Sequence, residues 1–240
     1  MSAFLRSFLI QGSWNYHTML GSGFAFSMLP GLRELYGAEP DEMEASLERH
    51  LEHFNAHPYL AGVALGAALK LEADGADPET VRRFKLAVRG PLGSLGDALV
   101  WAAWLPGVSV LALALYWMGF PGWWAAVLFL GMYNIGHLAL RFWGFRIGLI
   151  EGRMVGRRLE RANLARWTAR LKAAVALLLG LLVGAVLAGE DGLAASGWLW
   201  TALAACAFLA GLLVGHRAWR PAAATVVGVI AVLAALGALG

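Results

Sequence analysis

Charge is scarce in this sequence and cysteine is almost absent. Only 15% of the 240 residues are charged and one is cysteine, so an internal disulfide framework is excluded. The single Cys206 sits mid-segment among Ala and Leu and reads as a packing residue. The chain has no GxxxxGK[ST], no HExxH and no CxxC, which removes the usual signatures of a phosphate-binding loop, a zinc protease and a redox pair. No basic stripe interleaves with exposed aromatics, so the pattern does not fit nucleic acid. No metal and no cofactor is expected. The opening run FLIQGSW is too short for a signal-peptide core. The chain is expected to start at or near Met1, with its N-terminus on the cytoplasmic side.

What the sequence has in excess is apolar surface: 59% of residues are hydrophobic and eleven are Trp. The charge that exists is uneven. Residues 1–98 hold 8 Lys/Arg and 12 Asp/Glu, and residues 99–240 hold 11 and 4. The first part is mixed and mildly acidic; the second is basic and built of membrane-length runs. This predicts an all-α integral membrane protein, with broken and re-entrant helices in residues 1–152. A basic cytoplasmic connection and transmembrane helices follow in 153–240.

Candidate spans are 98–118, 122–140, 172–188, 197–215 and 222–239. The connection 141–172 carries nine basic residues against Glu151 and Glu160 and is expected inside, whereas 189–196 lacks any and is expected outside. Upstream, residues 4–36 are apolar but studded with polar groups and glycine, with breaks expected at Gly21, Gly23 and Pro30. Residues 40–57 read as an amphipathic helix through Met43, Leu47, Leu51 and Phe54, stopped by Pro58. Residues 59–73 make a helix of about 22 Å, too short to cross comfortably. Asp74–Pro78 reads as a turn, and Glu79–Val88 as a basic helix.

The stretch RGPLGSLGD, 89–97, packs three glycines and a proline ahead of an apolar run. It predicts a turn or re-entrant tip, with Asp97 as N-cap of the next helix. In Gln11-Gly-Ser-Trp-Asn15, amide, hydroxyl and indole groups sit on an otherwise apolar element, a pattern suited either to a sugar or to interfacial anchoring. His50, His53 and His57 have metal-compatible spacing, but no cysteine or paired carboxylate completes a ligand set, and a polar helix face is the preferred reading. Asn134 and His137 lie inside a span and are expected to make interhelical hydrogen bonds.

Five blocks occur together in one family. They are FLRSFLIQGSWNY (4–16), GFAFSMLPGLRELY (23–36), RHLEHFNAHPYLAGVALGAALKLE (49–72), KLAVRGPLGSLGDALVW (85–101) and LFLGMYNIGHLALRFWGFRIGLIEG (128–152). In these the chain resembles the IID component of the mannose/fructose/sorbose phosphotransferase permeases. The resemblance implies a multi-pass subunit of the bacterial inner membrane that pairs with a IIC subunit in a higher oligomer. Soluble IIA and IIB components would relay phosphate to the hexose, and no phosphoryl-carrying or catalytic residue is expected in this chain.

Mapped by motif, the resemblance places Gln11, Ser13, Trp14, Asn15, Asn55, Gly90, Gly96 and Asp97 at the sugar site, with His17 and His57 beside them. His17-Thr18 stand where the family usually has Glu-Arg, and Ala98 stands for its proline. An alternative is a divergent IID homologue acting as a sensory or scaffolding membrane subunit without sugar transport.

Overall fold

The computed structural model of the chain describes residues 2–188, and every regular element among them is helical. Helix α1 (Ser2–Arg6) runs into a 3-10 turn at Ser7–Leu9, and a loop leads to α2 (Gly21–Tyr36). Then follow α3 (Pro40–Leu51) and α4 (Ala61–Ala73). Helix α5 (Pro78–Gly96) continues through a π-helical segment, Asp97–Trp104, into α6 (Leu105–Trp117). A turn with Gly119 at φ +90° returns the chain into α7 (Gly122–Glu151). Helices α8 (Val155–Ala162) and α9 (Leu164–Ala188) complete the described part. The expected spans 197–215 and 222–239, and Cys206, lie outside the described residues.

From Ala61 to Leu69 helix α4 is apolar on every side, so that stretch has no solvent face to offer and is buried throughout. It lies in a seam against α7 made by four small residues, Gly62 and Gly66 on one helix and Gly144 and Gly148 on the other. A Cβ on Gly66 would overlap the Phe145 carbonyl oxygen, and one on Gly148 the Val63 carbonyl oxygen. Close backbone approach therefore depends on the GxxxG spacing of both partners. Around this seam Phe24, Met28 and Leu32 of α2, Phe54, Leu60 and Val81 are fully buried.

Two helical stretches, Pro78–Trp117 and Gly122–Gly184, are long and apolar enough to cross a bilayer. Their hairpin tip exposes Tyr116, Trp117, Phe120, Trp123 and Trp124, the aromatic composition expected at a membrane–water interface.

Several local expectations are corrected. The 89–97 stretch is no turn: residues 89–96 belong to α5 and Asp97 opens the π segment, so Asp97 is no N-cap of a separate helix; its N–H bonds back to the Gly93 and Ser94 carbonyls. The local cost of Gly and Pro, about 1 and 3 kcal/mol in helix interiors, is offset by packing. Gly96 lies on His57, where a Cβ would overlap the imidazole, and Gly93 faces Ala56. The widened π turn then precedes Pro106, which has no N–H to donate.

Pro30 is likewise carried inside α2. Helix α3 ends at Leu51, so the expected helix over 40–57 is shorter. Its buried residues are Ser46, Arg49 and His50, while Leu51 is exposed. Charge pairing, rather than an apolar stripe, decides which face turns inward. The turn at Asp74–Pro78 forms as expected, with Gly75 at φ +68° and Asp77 capping α5 through Thr80 N at 2.9 Å.

Candidate functional site

The loop between the first turn and α2 is shaped by its own polar residues. Asn15 Oδ1 accepts from the N–H groups of His17 (3.0 Å) and Thr18 (2.9 Å), and its Nδ2 donates to Ser13 O and Thr18 Oγ1. Ser13 Oγ is 2.7 Å from Ser22 Oγ. The loop is then laid along the extended segment after α3. Leu20 N donates to Phe54 O (2.8 Å) and Phe54 N to Thr18 O (3.1 Å). This pairing brings the 11–15 block beside the 55–58 block, and α5 passes both.

A cavity of about 450 Å³ opens where the three meet. It is lined by Gln11 and Trp14, by Asn55, Ala56, His57 and Pro58, and by Arg89, Gly90, Gly93, Ser94 and Asp97 of α5 and the π segment. Sequence segments separated by 40 and 30 residues thus share one polar hollow. Of the expected residues, Gln11, Trp14, Asn55, His57, Gly90 and Asp97 line it. Ser13 and Asn15 instead hold the loop's shape, His17 is exposed away from it, and Gly96 supports His57 from behind.

Arg89 and Ser94 escape the sequence reading because 89–97 reads as a turn. In helical register Gly90, Gly93, Ser94 and Asp97 fall on one face, at spacings of three, four and seven. Arg89 Nη1 donates to His53 Nδ1 at 2.9 Å, which fixes the guanidinium at the cavity edge.

His57 is buried at 2% exposure. Its Nδ1 accepts from Tyr59 N at 3.2 Å, so Nε2 carries the proton. Burial lowers its pKa to about 4 from 6.5, and the nearby Asp97 carboxylate offsets only part of this. The ring is neutral at pH 7. Asp97 itself is exposed to the cavity and has no ion-pair partner among the described residues.

The candidate metal histidines are separated by the structure. His50 points into the core, where its Nε2 donates to Glu72 Oε1 at 2.8 Å. Arg49 grips the same carboxylate with Nε and Nη2, both at 2.8 Å, and Tyr36 Oη donates to Oε2 at 2.9 Å. Burial alone would raise Glu72, but the hydrogen bonds from Arg49, His50 and Tyr36 outweigh it and hold its pKa at about 2. Burial also keeps His50 neutral, lowered to about 4. Asn134 donates to Leu130 O of its own helix rather than across helices, and His137 stacks on Tyr59 at 4.7 Å.

The family model for the PTS system mannose/fructose/sorbose family IID component matches residues 1–190. The chain is 36% identical over 154 residues to the mannose-specific EIID component of Escherichia coli K12, covering 62% of this chain and 54% of that protein. It is 33% identical over 157 residues to the sorbose-specific EIID component of Klebsiella pneumoniae, covering 63% and 56%. It is 30% identical over 156 residues to the fructose permease IID component of Bacillus subtilis, also covering 63% and 56%. The chain therefore spans about half the length of the curated relatives it matches.

Among solved structures, a membrane protein aligns with TM-score 0.62 and 30% identity, over 78% of this chain and 68% of that one. The mannose transporter ManYZ in complex with microcin E492 aligns with TM-score 0.59 and 26% identity, over 100% and 95%. Matching sequence blocks, helical membrane architecture and family model agree: this membrane chain belongs to the IID-component family of the mannose/fructose/sorbose phosphotransferase systems.

Proposed function

We propose that this chain is the IID subunit of a sugar phosphotransferase permease, and that the cavity between Gln11, Asn55 and Asp97 is its part of the sugar site. The observation that carries this reading is the convergence of three distant segments on one polar hollow beside membrane-length helices. A sugar offers paired hydroxyls and an apolar ring face. The Asp97 carboxylate accepts from two hydroxyls, the Gln11 and Asn55 amides both donate and accept, and the Ser94 hydroxyl adds a further partner. The Trp14 indole supplies an apolar surface for the ring. In this reading all these groups bind and orient the sugar.

The cavity is open on one side, which suits closure by a IIC-type partner. The relatives' names supply the sugar class, mannose, sorbose or fructose; the family resemblance adds soluble IIA and IIB phosphocarriers, a IIC–IID pair in a higher oligomer, and a multi-pass place in the bacterial inner membrane to the proposal. The exposed, unpaired Asp97 favours this over the sensory or scaffolding reading, because a scaffold gains nothing from a free carboxylate in a hollow.

The test is equilibrium binding of labelled mannose, fructose and sorbose to this chain co-purified with its IIC partner. Binding that drops at least tenfold in Asp97→Asn is the expected result, the scale of one charge-assisted hydrogen bond. Wild-type complex that assembles but binds none of the three sugars overturns the proposal.

A further inference from the structure

Helix α7 carries three polar residues one turn apart, Tyr133, His137 and Arg141, at i, i+4 and i+8 on a single face. One side chain lies across all three. Tyr59 Oη is 2.7 Å from Tyr133 Oη, its ring stacks on His137 at 4.7 Å and 24°, and Arg141 Cζ sits 4.8 Å from its centroid. Two residues earlier is His57, in the cavity wall, whose Nδ1 is held by the Tyr59 N–H.

Arg141 reaches a second wall as well. Its Nη1 donates to Ser7 O at 3.1 Å and its guanidinium lies 4.9 Å from the Phe8 ring, just ahead of Gln11 and Trp14. We propose that the Tyr133–His137–Arg141 ladder is a positioning device for the cavity. Through Tyr59 it fixes the tautomer and orientation of His57, and through Ser7 and Phe8 it fixes the Gln11–Trp14 wall. This inference rests on the reading of the cavity as the sugar site.

Packing alone does not account for the ladder's composition. Arg141 is buried at 6% exposure with no carboxylate within ion-pair distance among the described residues, and its Nε has no hydrogen-bond partner. A cation so placed is costly inside a membrane protein, and apolar residues of similar volume would fill the space at lower cost. What an apolar residue cannot do is grip a backbone carbonyl on one side and an aromatic face on the other. The guanidinium is a planar group that serves both contacts at once. The Tyr59–Tyr133 hydroxyl pair likewise adds direction rather than volume. Only Pro58, whose ring fixes its own φ, stands between Tyr59 and His57 in the chain. Gly96 closes on the imidazole from the other side, leaving it no room to turn.

The experiment uses the full chain with its IIC partner, labelled mannose, fructose and sorbose, and selective ¹⁵N-histidine labelling. Tyr133→Phe removes one hydroxyl and keeps the ring; Arg141→Lys keeps the charge and loses the planar stack. In wild type the His57 nitrogens report the Nε2–H tautomer. Both variants are expected to give a tautomer mixture and a five- to tenfold weaker sugar affinity, with unchanged melting temperature. Ile135→Ala, on an exposed face of the same helix, is expected to change neither.

Affinity that falls together with melting temperature while the tautomer stays fixed means a merely structural ladder and overturns the inference. So does affinity that does not change in either variant. Wild-type complex that binds none of the three sugars instead overturns the sugar-site reading, while the tautomer measurement still judges the ladder.

Discussion

Two polar clusters lie within the same N-terminal part of the molecule, and they are built on opposite rules. Around Glu72 the carboxylate is fully occupied. Arg49, His50 and Tyr36 saturate both carboxylate oxygens, and Lys85 Nζ donates to the Arg49 carbonyl from α5. Around Asp97 the groups converge but do not consume one another. A saturated cluster uses its hydrogen bonds to join α2, α3, α4 and α5, whereas an unsaturated one leaves them open for the proposed sugar. Burial alone does not separate the two roles, because His50 and His57 are equally hidden and equally neutral. What separates them is whether the neighbouring carboxylate is already taken.

The sharpest way to break the comparison is Glu72→Ala. It strands a buried guanidinium and imidazole, and is expected to cost about 3–5 kcal/mol, read as a large fall in thermal unfolding temperature in detergent.

Acidification comes next. His50 and His57 are held near 4 against an ordinary 6.5, so the folded state binds fewer protons than the unfolded chain between these values. Their stabilisation is complete above pH 6.5 and is lost as pH falls toward 4, at about 1.4 kcal/mol per unit for each histidine. Melting measured from pH 7.5 to 4.5 is expected to hold down to about 6.5 and to fall below it, and His57→Gln to remove about half the slope. A flat profile would contradict the burial of both rings.

Gly96→Ala presses a methyl group onto His57. The expected loss is about 1–3 kcal/mol, the usual range for overpacking, accompanied by weaker sugar binding because the cavity wall moves. Smallest in stability, and most informative by contrast, is Asp97→Asn. With no partner to strand it is expected to shift unfolding by less than about 0.5 kcal/mol while sugar affinity collapses. Equal destabilisation by Asp97→Asn and Glu72→Ala would erase the distinction drawn between the clusters.

The family blocks, the apolar hairpin and the turn at Asp74–Pro78 were legible from residue order, because each depends on neighbours within a turn or on long runs of one character. The glycine stretch 89–97 was misread for a physical reason. Glycine marks a turn when the chain is considered alone, but the same residue marks close approach when another segment packs on it, and Gly96 against His57 is the second case. The inward face of α3 was misread similarly, since no periodic apolar pattern announces that Arg49 and His50 find a buried carboxylate 22 or more residues away.

Taken alone, the sequence determined that this protein is helical, membrane-bound and a relative of the IID components, because composition, hydropathy and motif order are local or additive properties. Only the tertiary structure decided that Gln11, Asn55 and Asp97 share a hollow while Ser13 and Asn15 do not. Only it laid Tyr59 across Tyr133, His137 and Arg141. Such outcomes depend on backbones brought within contact by the Gly66–Gly148 seam and by the pairing of Leu20 with Phe54, and long-range closures of that kind leave no periodic trace in the residue order.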